Sequence, residues 1–105
     1  MKRGLTENCY GFFSTLANPT RLAILEKLNK SSMNVTQLAE SIGQEQSMVS
    51  HNLKPLLKCR FVYSKQVGKS RVYSLNQDTV RVLLKTVENH ALLHCPFKGN
   101  CLESH

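Results

Sequence analysis

Apolar residues recur at helical spacing in several separate stretches of the chain, and the stretches between them carry turn residues. Cys9, Phe12, Phe13 and Leu16 mark a first helix over residues 6–16. Asn18-Pro19 reads as a cap followed by proline in the first helical turn, where the missing N–H is one the helix cannot pair anyway. The helix that follows, from Pro19 to Leu28, is expected to turn Leu22, Leu25 and Leu28 towards a core, with Ile24 flanking them. Ser31 to Asn34 reads as loop. Thr36 is then the expected cap of a short helix ending near Ser41. Val35, Leu38, Ala39 and Ile42 recur there at i, i+3, i+4 and i+7, and Gly43 ends the run. A further helix is expected from Gln46 to about Lys58. Phe61–Lys65 and Arg71–Leu75 are short β-type runs around Val67-Gly68-Lys69, hence a hairpin. A last helix extends from about Asp78 to His94, where Cys95-Pro96 stops it. The fold class is mainly α with a small β-hairpin.

A short helix, a glycine turn and a second helix form a helix-turn-helix signature, here followed by the hairpin. The second helix separates its faces cleanly. Val49, Leu53, Leu56 and Leu57 form one stripe, while Ser47, Ser50, His51, Lys54 and Lys58 form the other. Small hydroxyls come first and cations later. That order suits a helix whose N-terminal end meets base edges while its later lysines meet phosphates. Gln46 can pair with adenine, Ser47 and Ser50 can donate or accept, and His51 can donate to a base or a phosphate. Pro55 cannot donate to the carbonyl of His51, so a bend is expected there. Lys65, Lys69 and Arg71 surround the Gly68 tip of the hairpin, placed to follow a phosphate backbone or enter a minor groove. Tyr63 and Tyr73 are expected to pack under it.

Charge strengthens this reading. Among 105 residues, fourteen Lys and Arg against seven Asp and Glu leave a net +7, and the pI is near 9.5. The segment Gln44–Leu75 alone carries +5, with six basic residues and the single acid Glu45. A basic segment within a nearly neutral body points to a polyanion as partner. The competing reading, a merely solvated polar face, loses weight because the charge excess and the hairpin fall beside the same helix.

The length allows one domain, residues 1–105, and an apolar content of 41% allows one core. The longest uninterrupted apolar run is Leu22-Ala23-Ile24-Leu25, too short to span a bilayer, and Thr6, Glu7 and Asn8 break any leader-type apolar run after Met1-Lys2-Arg3. A cytoplasmic protein without membrane partners is expected. An enzyme is not: nothing suggests a cleft-sized core, and the cysteine- and histidine-rich end of the chain has only Glu88 and Glu103 as nearby acids.

Three stretches together resemble the ArsR/SmtB family of winged-helix transcriptional repressors: Leu16-Ala17-Asn18-Pro19-Thr20-Arg21-Leu22-Ala23-Ile24-Leu25, Gln46-Ser47-Met48-Val49-Ser50-His51-Asn52-Leu53-Lys54, and Gly68-Lys69-Ser70-Arg71-Val72-Tyr73-Ser74-Leu75. The resemblance covers the chain from about Phe12 to His90. It implies a homodimer joined through the first and last helices, bound to an inverted repeat in double-stranded operator DNA and released by a ligand. It also places Gln46, Ser47, Ser50 and His51 at the family's base-reading positions. Geometry asks for a dimer too: a recognition helix of this size is only about 20 Å long, and two half-sites lie roughly 34 Å apart.

The sequence departs from the family's well-known sensing sites. The arsenic and cadmium sites place paired cysteines at the start of the first helix of the helix-turn-helix, and Val35–Ile42 has none. Of the four positions of the zinc site across the last helices, only His90 matches; Gln77, Thr79 and Leu93 stand at the others. Cys59 resembles one cysteine of a cadmium/lead-sensing branch, but Pro55 stands where its partner belongs, so a small buried thiol is expected. A different cluster closes the chain: His90, His94, Cys95 and Cys101. Two imidazoles and two thiolates suit zinc or another thiophilic ion. Alternatively Cys95 and Cys101 form a redox-active thiol pair, or the tail senses nothing. Cys9, on the first helix, could approach the cluster.

Overall fold

The computed structural model describes residues 5–95. Helices α1 (Leu5–Leu16), α2 (Pro19–Lys30), α3 (Val35–Ile42) and α4 (Gln46–Lys58) precede strands β1 (Val62–Val67) and β2 (Ser70–Leu75), and α5 (Val80–His94) follows. No helix of the described residues is long and apolar enough to cross a membrane.

Local chemistry sets the boundaries. The Asn18 side chain accepts the Arg21 N–H at 3.0 Å, which starts α2 with Pro19 in its first turn. α3 starts one residue earlier than the Thr36 cap implied. Asn34 is the cap: its side chain accepts from Gln37 N–H at 2.8 Å, and the Gln37 side chain accepts from Asn34 N–H at 2.9 Å. This reciprocal box satisfies two otherwise unpaired amides at once, and a threonine at the next position offers nothing to compete with it. Gly43 ends α3 at φ 69°, in the left-handed region.

The C-terminus of α4 closes differently. Phe61 N–H donates to the Leu56 carbonyl and Arg60 N–H to that of Leu57, a Schellman arrangement that puts Arg60 at φ 59° where glycine is usual. Pro55 lies inside α4, which continues through it to Lys58. α5 begins at Val80, two residues later than the sequence suggested. The buried Asn76 accepts from the N–H groups of Asp78 and Thr79 and donates to the Arg60 carbonyl, which holds residues 77–79 as a turn.

The hairpin pairs antiparallel from Val62↔Leu75 to Val67↔Ser70, leaving Gly68-Lys69 as a two-residue turn. Gly68 has φ 62° and Lys69 is not in the positive-φ region, the pattern of a type II′ turn, whose twist matches that of the strands. Met33, expected as loop, pairs with Tyr73 through two backbone hydrogen bonds of 3.1 and 2.8 Å, and so ties the segment before α3 to the hairpin.

The core gathers Ile24, Leu25 and Leu28 of α2, Leu38 and Ala39 of α3, Val49, Leu53 and Leu56 of α4, the base of the hairpin, and Val80. Here α2 is turned from its expected setting: Ile24 is fully buried, whereas Leu22 is 43% exposed. The two end helices are attached more lightly. α1 lies against the body through Phe12, whose ring meets Phe61 edge-on at 4.7 Å, and through Leu16. Only the start of α5 is anchored, by Val80, Leu84 and Arg81, whose guanidinium donates twice to Asn29. Tyr10 and Phe13 on α1 and Val82, Val87, Leu92 and Leu93 on α5 are exposed.

Candidate nucleic-acid interface

α4 is held by one face and offers the other. Val49, Leu53 and Leu56 are essentially inaccessible, while Gln46, Ser47, Ser50, His51, Lys54 and Lys58 are all exposed. The rigid seat matters, because base recognition tolerates little error in the placement of the reading side chains. The polar set runs along the helix as the sequence indicated, hydroxyls in the first two turns and lysines after them. Met48, 47% exposed in the first turn, joins this surface and was not anticipated.

The hairpin protrudes as a wing whose outer half, Lys65–Arg71, is fully exposed. Its cations do not form a single patch. Strand alternation and register put Arg71 on the face with Ser64 and Tyr73, Lys65 on the opposite face, and Lys69 in the turn. Arg71 donates to the Ser64 hydroxyl at 3.0 Å, a diagonal contact across the strands. On the same side Arg71 and Ser70 meet Asn34, Val35 and Thr36 around a shallow cleft of about 220 Å³. Of the two tyrosines expected beneath the wing, Tyr73 is buried and Tyr63 is 44% exposed, because Tyr63 shares the outward face of Lys65.

A buried polar group on α4 went unnoticed in the sequence. Asn52 lies among the apolar stripe, accepts from Arg21 Nε at 3.1 Å and donates to the Met48 carbonyl at 3.0 Å. The signal was an amide interrupting an otherwise apolar face; its partner, 31 residues away, carries no periodic signature.

Of the candidate ligand cluster, His90 and His94 are exposed neighbours on α5, ring centroids 5.1 Å apart. Cys95, half-buried, terminates the helix with its N–H on the Ala91 carbonyl. Cys101 lies outside the described residues. Among the described residues no three His, Cys, Asp or Glu side chains converge as a metal site, so these residues supply an imidazole pair rather than a full donor set. Cys59 is exposed rather than buried, because the turn at Arg60 leaves it at the rim; its Sγ lies 3.8 Å from the Thr15 hydroxyl. Cys9 is half-buried on α1. A groove of about 310 Å³ separates α2 from α5, with Leu22, Leu84 and Val87 among its walls and Glu26 and Glu88 beside them.

Comparison with known proteins agrees with this geometry. The family described as bacterial regulatory protein, arsR family, matches residues 18–64, from just before α2 into β1. The HTH-type transcriptional regulator NmtR of Mycobacterium tuberculosis is 45% identical over 76 residues, covering 72% of this chain and 63% of NmtR. The chain spans about three fifths of the length of such curated relatives. Among solved structures, NolR from Sinorhizobium fredii superposes with a TM-score of 0.75 at 30% identity, covering 90% of this chain and 97% of NolR. A homodimeric winged helix-turn-helix DNA-binding domain from Mycobacterium bovis gives 0.73 at 26% identity, covering 88% of each chain. In sequence and in fold, the chain belongs to the ArsR family of bacterial transcriptional regulators.

Proposed function

We propose that this chain is a homodimeric, sequence-specific repressor that lays its two α4 helices in successive major grooves of an inverted repeat. The observation that carries the reading is the division of α4 into a fully buried apolar stripe and an exposed face of Gln46, Ser47, Ser50, His51, Lys54 and Lys58. In this reading the first four address base edges, and Lys54 and Lys58 take phosphates. Lys65, Lys69 and Arg71 of the wing follow the flanking backbone. The exposed apolar residues of α1 and α5 support the dimer, since a chain of this size gains by covering them. The M. bovis neighbour is itself homodimeric.

Salt dependence separates the roles. Replacing Lys54 or Lys58 with alanine is expected to weaken binding to operator and to unrelated DNA alike. Each should also flatten the dependence of log affinity on log salt by about one unit. Titrations at several salt concentrations check this, and an unchanged slope contradicts the assignment.

For the inducer, we propose a thiophilic metal ion such as zinc, held by His90, His94, Cys95 and Cys101. The paired imidazoles at i and i+4 and the thiol directly after them support it. Closing these donors on one centre restrains the end of α5, alters the crossing of the two α5 helices and moves the α4 pair off its half-site spacing. Zinc is then expected to weaken operator binding by roughly 5- to 150-fold, the usual range of such coupling. The double substitution Cys95→Ser/Cys101→Ser should abolish that response and leave metal-free binding intact. A fully responsive double variant contradicts the site, and release by a thiol oxidant instead of zinc assigns the switch to the cysteines alone.

A further inference from the structure

A chain of polar contacts joins α1 to the recognition helix through the interior. The guanidinium of Arg21, in the first turn of α2, donates from Nη1 to the Thr15 carbonyl in the last turn of α1, at 3.2 Å. Its Nε donates to Asn52 Oδ1 at 3.1 Å. Asn52 Nδ2 completes the chain by donating to the Met48 carbonyl, one turn nearer the N-terminus of α4. Asn52 is 4% exposed, and only Asn76 shares its class of buried polar side chain among the described residues. A second contact runs parallel, from the Thr15 hydroxyl to Cys59 Sγ at the C-cap of α4. One residue of α1 therefore touches the network at both the middle and the end of α4.

Apolar burial alone cannot define the setting of α4 to the accuracy that base reading needs. The contacts of Val49, Leu53 and Leu56 are non-directional, and cores tolerate rearranged packing at modest cost. Hydrogen bonds have narrow geometry, and a buried amide left unpaired is penalised, so the Arg21–Asn52 pair admits one orientation of α4 against α1. Buried polar groups of this kind can fix register at some expense of stability.

We propose that the Thr15–Arg21–Asn52 chain sets the angle of the recognition helix against the dimer arm, so that Asn52 is a positioning residue for half-site spacing. The inference rests on the dimeric, DNA-reading function proposed above. Asn52 acts through α4 and touches no base; it matters where two recognition helices must fit one duplex together, and little where one helix binds alone.

The test uses an inverted-repeat duplex selected by the wild-type chain from a randomised pool, and the same duplex with one half-site scrambled. The variant Arg21→Met/Asn52→Leu removes both partners and leaves no unpaired buried group. It is expected to bind the single half-site within about threefold of wild type and the inverted repeat at least tenfold more weakly. It should also lose its preference for the selected spacer over one lengthened by a base pair. Asn52→Asp keeps the acceptor for Arg21 and should restore the spacer preference. Equal losses on the two duplexes, or an unchanged spacer preference, overturn the proposal.

A selection that yields no inverted repeat overturns the functional reading instead. The strut is then tested without DNA, by the distance between spin labels at the exposed positions Ser14 and Ser47, with labelled chain diluted in unlabelled chain. A narrow distribution in the wild type that broadens in Arg21→Met/Asn52→Leu supports the strut; equal widths overturn it.

Discussion

Replacing Leu92 and Leu93 together with glutamate is expected to split the dimer and to lower operator affinity on the order of a thousandfold, close to the gap between specific and non-specific binding. Leu92 is 85% exposed and Leu93 76% exposed, and α5 has left the body of the domain well before them. In a lone chain both side chains already face water, so the exchange costs the fold almost nothing. In a dimer that covers α5, four carboxylates would have to lose their water without partners, and the interface cannot supply that energy. Sedimentation velocity should show a monomer with the melting temperature of the wild-type fold nearly kept. A variant that stays dimeric moves the interface away from the end of α5.

The second large effect is expected on the exposed face of α4. Ser50→Ala and His51→Ala should each cost about 1–3 kcal/mol on the operator, the value of one good base contact. Specificity should relax at a single base-pair position in each half-site. Both side chains are exposed and outside the core, so stability should change by less than about 0.5 kcal/mol. The contrast with Lys54 and Lys58 is the informative part: a phosphate contact is lost on every sequence, a base contact only on the right one. Binding by the Ser50 and His51 variants to a panel of single-base operator changes reads this directly. A uniform loss across the panel reassigns these residues to the backbone.

Much of this surface was legible before the fold was known, for physical reasons. The two faces of α4 follow from a 3.6-residue period, and nothing in the tertiary structure overrides it. Gly43 and Gly68 stand where the chain needs a left-handed residue, and both turns fall where the sequence placed them. Other features depend on partners far away in sequence. Asn34 outcompetes Thr36 as a cap because Gln37 answers it, a reciprocity that single-residue preference does not register. Met33 contributes one bridging residue to the sheet, too short to show alternation. Arg21 and Asn52 meet only once α2 and α4 cross.

The wing offers a similar lesson about register. Lys65, Lys69 and Arg71 look like one cluster along the chain, yet pairing sends Lys65 and Arg71 to opposite faces. The ligand cluster is the part least open to either approach. His90 and His94 stand together as their spacing implies, while Cys101 lies beyond the described residues.

The central claim, that α4 reads sequence, is tested most directly by a competition titration. The reduced, metal-free protein is bound to labelled DNA from upstream of its own gene, and unlabelled upstream DNA or unrelated DNA of equal length is added while anisotropy is followed. The account predicts that the upstream DNA competes at least about a thousandfold better at physiological salt. Equal competition by both, with salt as the only strong variable, would contradict it and leave a general polyanion binder in place of a repressor.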